Sequence, residues 1–269
     1  MTKWVQGNIP TRATIVNWDS SGTFTCLDDF TLTDPNGTTV QNQFEVADGA
    51  GPMIILGDVE IQTIAQFNCL GAATILCYGN IDFQGVAVSD WGTSTITLYG
   101  SLNQNVKFNS APYNLTLLKS GGTIDFQDAW VATGDFVIRT LAAFNIKFLV
   151  GGNYGANLID ADRAAAIPNT TRCNVESSDG VGQFNFVIAT AGPTARNLII
   201  TDWNLTGAIQ NAGTATCVDA GNNTIAGLEG WNFLSDPRTP RAYGYGRLTH
   251  GIGLGVGLGA GGAYQYGGS

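Results

Sequence analysis

The chain has 269 residues, 44% of them hydrophobic, enough to bury a sizeable core within one domain. Only 12% are Asp, Glu, Lys or Arg, about half the usual share, and the formal charge is −9. Phosphate binding needs clustered Lys and Arg, so this composition argues against a nucleic-acid partner.

Residues 1–50 are rich in turn formers, with Asp34-Pro35-Asn36-Gly37 as the clearest turn, and are assigned to an N-terminal cap. Met1 to Trp18 lacks an apolar stretch of signal-peptide length, so export by a cleaved leader is not expected. A repeat then begins. MIILGDVEI from Met53, TILCYGNIDF from Thr74, TITLYGSLNQNVKF from Thr95, LTLLKSGGTIDF from Leu115 and FVIRTLAAFNIKF from Phe136 are five similar units, about 21 residues apart. Gly57, Gly79, Gly100 and Gly121 recur at nearly constant register in the first four. A second mark is an apolar residue, a charge and an aromatic: Ile81-Asp82-Phe83, Val106-Lys107-Phe108, Ile124-Asp125-Phe126 and Ile146-Lys147-Phe148.

These units are rich in Ile, Val, Thr, Phe and Tyr and bounded by Gly, Asn, Asp and Ser, which predicts strands. A fixed period of this length signals a solenoid, in which each unit buries its apolar face only by stacking on its neighbours. A large β-sandwich, with strands every 8–12 residues, is the competing architecture. Phe184-Asn185-Phe186-Val187-Ile188, Asn197-Leu198-Ile199-Ile200-Thr201 and Thr224-Ile225-Ala226-Gly227 read as further, less regular rungs. Ile159 to Pro168 is the one segment read as a short helix. Cys26, Cys69, Cys77, Cys173 and Cys217 form no C-x-x-C pair and are expected to be buried free thiols.

The body, 51–235, is expected to end near Trp231-Asn232-Phe233-Leu234-Ser235, and 236–269 to be a linker and tail. In that tail Gly251, Ile252, Gly253, Leu254, Gly255, Val256, Gly257, Leu258 and Gly259 alternate glycine with an apolar residue. As a strand this would have one bare and one apolar face, a candidate assembly interface between subunits. No membrane span is expected, because glycine interrupts the same run at almost every second position.

No residues suggest a metal or cofactor site. Gly257-x-Gly259-x-x-Gly262 lacks the flanking strand, helix and acidic residue of a dinucleotide site, and Lys119-Ser120-Gly121-Gly122 lacks phosphate-loop spacing. His250 is the one histidine, which rules out histidine-based zinc or iron sites. Asp28-Asp29, Asp160-x-Asp162 with Arg163, Arg139 and Lys147 come nearest to catalytic groups without forming a signature. Trp91, Trp130, Trp203 and Trp231 fall at apparent rung edges, where exposed rings would be candidate glycan contacts.

The repeat over Met53 to Phe148 resembles the parallel β-helix family. Together with the few charges, the cap and the glycine-rich tail, it resembles β-helical bacteriophage proteins: capsid decorations, spikes and tail-fibre parts. That resemblance implies a non-enzymatic virion component made in the host cytoplasm. Its partners would be its own copies, as a homotrimer, other virion proteins and a host surface glycan. The alternative implied by the fold is a protein that binds or cleaves polysaccharide.

Overall fold

The structure, a computed structural model, describes residues 4–6, 15–32, 43–62, 65–83, 90–108, 112–161, 172–213, 217–223 and 230–234. The chain divides into two units after Asp236, and every described residue belongs to the first. The tail Gly251–Gly259, His250 and the rung expected at Thr224–Gly227 lie outside the described residues.

The fold is an all-β parallel solenoid, with no helix among the described residues and rungs about 22 residues apart. Those residues form ladders of ten, seven, three, three and two strands, and every strand pairing is parallel. One rung shows the path. The chain runs through Met53–Ile55, turns a tight corner into Val59–Ile61, crosses back through Gln66–Cys69, and re-enters the first side as Thr74–Cys77, directly above Met53–Ile55. The five repeat units stack on the seven-stranded side, with Met53, Ile75, Ile96, Leu115 and Phe136 in one register column. Strands also occur within 1–50, and they join the same ladders: Phe24–Cys26 pairs with Met53–Ile55, and Phe30–Leu32 with Val59–Ile61. Where a helix was expected, Ile159–Asp160 pairs as a strand with Phe136 and Val137, and 162–168 lie outside the described residues. The β-branched Ile159 continues an inward apolar column, and tertiary pairing overrides local propensity.

Alternation drives the stacking. In Asn114–Lys119 and Phe144–Phe148 every second residue is buried, and parallel pairing keeps those positions aligned from rung to rung. Aromatic rings form much of the core. Phe44 stacks on Phe67 at 5.6 Å, Phe126 on Phe148 at 5.1 Å and Phe148 on Phe184 at 4.4 Å. All five cysteines are free and buried, as expected from the lack of a C-x-x-C pair. Burial pushes the Cys69 and Cys77 thiols up to about 12, so both remain protonated and unreactive.

Corners are fastened by side chains. Asp29 Oδ1 accepts the Asp58 N–H at 3.0 Å, Asp58 Oδ1 the Asn80 N–H at 2.7 Å, and Asn80 Oδ1 the Asn105 N–H at 2.8 Å. Each short acceptor serves a backbone donor on the next rung, where the strand ladder is interrupted. On the third side, Asn204 Nδ2 donates to Asn185 Oδ1 at 2.8 Å and Asn185 Nδ2 to Asn153 Oδ1 at 3.0 Å.

At one level the corner widens. It runs from Cys77 to Ile81 on one rung but from Leu98 to Val106 on the next, adding an inward position to each strand. Gly100 therefore pairs with Lys119, and Gln104 with Ile124. Gln104 and Lys119 fill the added space and are fully buried. Gln104 Nε2 donates to the Cys77 and Gly79 carbonyls at 3.1 and 2.8 Å, and Lys119 Nζ to Leu102 O and Gln104 Oε1, both at 2.7 Å. The carbonyls left by the narrower rung thus find donors, at the expense of a buried ammonium whose pKa falls to about 8 through desolvation.

Asp128 gives a direct test of this electrostatics. Its Oδ1 accepts the Phe108 N–H at 2.9 Å, and burial raises its pKa from 3.8 to about 6. The native state then binds the proton more tightly than the unfolded chain, so stability falls as pH rises through that window. Asp128→Asn retains an acceptor for Phe108. It should raise stability by about 1–2 kcal/mol near pH 7 and by little near pH 3, as read from urea unfolding at both.

Candidate functional site

Strands of the ten-stranded side turn their polar residues outward. Thr31, Glu60, Asp82 and Lys107 form one row across adjacent strands, and Asn105, Asp125, Lys147 and Glu176 another. Lys147 and Glu176 are 3.7 Å apart, a surface pair of small energetic weight. Beside the widened corner the first row opens into a groove of about 400 Å³ whose polar lining includes Asp58, Glu60, Asp82, Asn105, Lys107 and Gln127. Glu60 and Asp82 are directly opposed on neighbouring strands, a spacing of about 4.8 Å between backbones. Gln62 Nε2 donates to Glu60 Oε1 at 3.0 Å. Two carboxylates and an ammonium on adjacent strands can bind polar hydroxyl groups and exchange protons with them.

The seven-stranded side is different in kind. Its outward positions run Thr25, Ile54, Leu76, Thr97, Thr116, Val137 in one column. The next column holds Leu27, Leu56, Tyr78, Tyr99, Leu118 and Arg139. The Tyr78 and Tyr99 rings lie 4.8 Å apart. Leu27 and Leu56 are 74% and 43% exposed. No charge occurs in either column until Arg139, whose guanidinium is clamped by Asp160 through both Nη atoms. A water-facing sheet surface normally alternates apolar-in with polar-out, so this one has an apolar residue at many positions on both sides.

Several expected site residues occupy other roles. Trp91, Trp130, Trp203 and Trp231 are all buried, at 5, 3, 0 and 0% exposure. This corrects the expectation of exposed rings, because a buried indole has no free face for a sugar to stack on. Trp203 packs between Phe184, Phe186 and Trp231, and Trp130 against Phe126, Phe136 and Tyr154. The indole N–H groups of Trp130, Trp203 and Trp231 make no hydrogen bond, which shows how fully apolar packing controls these positions. Asp29 serves the corner ladder, Arg139 pairs with Asp160, and Lys119 lies inside the widened corner. Asp162 and Arg163 lie outside the described residues, as do the tail positions Gly251–Gly259.

Among the described residues no group of three or more His, Cys, Asp or Glu could hold a metal ion. No helix among them is long and apolar enough to cross a membrane. The chain matches no family model, no curated protein and no solved structure.

Proposed function

We propose that the protein is a non-enzymatic structural component of a virus particle, a bacteriophage capsid decoration, spike or tail-fibre part, that acts as an oligomer on the virion. The supporting observation is the outer surface of the seven-stranded side, whose two central columns carry no charge from Thr25 and Leu27 up to Thr116 and Leu118, on a body whose rungs are fastened at their corners. A rigid rod with one side poorly suited to water is what a packed assembly uses. The residues assigned to assembly are this surface and the tail Gly251–Gly259, with a trimer as the expected stoichiometry. Light scattering on the full chain should give an oligomer, and antibodies raised against it should label particles from the source culture in immunogold micrographs. A monomer at every concentration, or unlabelled particles, would overturn the reading.

The groove at Glu60, Asp82 and Lys107 favours a second reading, a polysaccharide-binding or polysaccharide-cleaving β-helix. Here the chain would release reducing ends or unsaturated products from acidic or neutral polysaccharides, and Glu60→Gln and Asp82→Asn would abolish that release.

A further inference from the structure

The assembly reading assigns the outer surface of the seven-stranded side to assembly and leaves open what covers it. Four observations bear on the outer surface of the seven-stranded side. First, from Thr25 and Leu27 up to Thr116 and Leu118 its two central columns carry no charge across five consecutive strands. Second, the ten-stranded side of the same rungs presents Glu60, Asp82, Lys107 and Asp125, so the absence of charge belongs to this side and not to the rungs as such. Third, the exposed leucines sit at one edge of the surface and the Tyr78–Tyr99 pair at its middle, giving an apolar strip that follows the stack. Fourth, the first cation met along the strip, Arg139, is already held by Asp160.

These features select among occupants. An anionic membrane surface would need unpaired Lys or Arg around the apolar strip, and a chain of net charge −9 is repelled by it. A glycan would need several exposed polar groups beside the rings, whereas Leu56 and Leu118 flank the tyrosines in their column and the neighbours on their own strands are Leu76 and the buried Thr97. A charged protein partner finds no complementary charge. What matches a flat strip whose rungs repeat at about 4.8 Å is another strip with the same spacing, which a second copy supplies. Five strands and three outward positions cover about 400–500 Å² per copy, so a pair buries about 800–1,000 Å². That is at the lower limit for a specific interface and corresponds to association that depends on concentration.

We propose that the outer surface of the seven-stranded side, centred on Leu56, Tyr78 and Tyr99, is a self-association surface covered by a second copy of this chain. The proposal rests on the assembly reading and names its contact. The two can fail separately.

The test is solution mass by light scattering over a concentration series of the full chain. Compared are the wild type, Leu56→Glu, Tyr78→Glu and a control, Asn145→Glu, whose side chain is exposed on the ten-stranded side. The expected result is an oligomeric wild type and control, with both strip variants at least tenfold weaker in association and unchanged in circular dichroism. An oligomer that survives both strip variants overturns this surface and leaves the assembly reading standing. A wild type that stays monomeric overturns both. If the glutamate variants fail to fold, Leu56→Cys decides instead, because the five native thiols are buried. Maleimide labelling at position 56 should be slow in concentrated solution and fast on dilution. Equal rates at both concentrations overturn the proposal.

Discussion

Replacing Trp203 with alanine is expected to lower stability by about 3–5 kcal/mol, the range for removing a large, fully buried aromatic side chain. Trp203 is wholly buried, with Phe184, Phe186 and Trp231 at 5.3, 5.4 and 5.0 Å between ring centroids. Its removal leaves a cavity between three successive levels, and stacked β-strands cannot close over it without breaking their register. Trp203→Phe should cost far less, since it retains most of the packing and deletes an indole N–H that has no partner. Denaturant midpoints rank the three proteins. Hydrogen exchange locates the damage: Phe184–Ile188 and Gly230–Leu234 should lose protection well before Met53–Ile55, because each rung is stabilised chiefly by its neighbours. Equal losses along the whole body would refute nearest-neighbour stability.

A substitution of comparable effect is Gly51→Ala. A Cβ at this position would overlap the Gly22 carbonyl oxygen and sit 2.6 Å from that of Ser21, both backbone atoms of the adjacent rung. No rotamer relieves such a contact, so the two rungs must separate, weakening the Gly51 N–H bond to Ser20 O at 2.8 Å. A loss of about 3 kcal/mol or more is expected, within the range of large mutational effects. Gly49→Ala is the informative control. Gly49 has φ +73° and open space around it, so an alanine there meets only left-handed backbone strain, about 1–2 kcal/mol. Similar losses in both variants would show that backbone conformation, and not rung spacing, sets the cost.

The sequence revealed the period and the strand faces because parallel stacking repeats the same burial at every level. Ile75, Ile96 and Leu115 look alike in sequence since they occupy the same column. The repeat misled only at the widened corner. Gly57, Gly79 and Gly100 follow one register, but Gly100 is paired with Lys119, and Gly121 lies beyond it in the corner. In the same way Val106 pairs with Phe126 and not with Ile124. Two residues gained on each side of a corner shift the alignment without disturbing the apolar alternation, so nothing in the local pattern reports it. A buried Lys and Gln inside apolar strands were the available signal. The tryptophans were misplaced because amphipathic rings at element ends suit a rim as well as a core, and only packing decides. The uncharged side was legible in principle: Ile54-Ile55, Leu76-Cys77 and Leu117-Leu118 put apolar residues on both faces of one strand.

The corner ladder has a direction. Asp29, Asp48, Asp58, Asn68, Asn80, Asn103 and Asn114 each offer a side-chain oxygen to a backbone N–H about one rung later in the chain. Asp128, Gln210 and Asn223 run the other way. Across most levels, then, a cut through the body would bare carboxamide and carboxylate oxygens on the N-terminal piece and amide hydrogens on the other. Like a bar magnet, each such row of corner bonds has unlike ends. Any level added to such a row must enter in the same sense, so the row keeps one polarity however many rungs it spans.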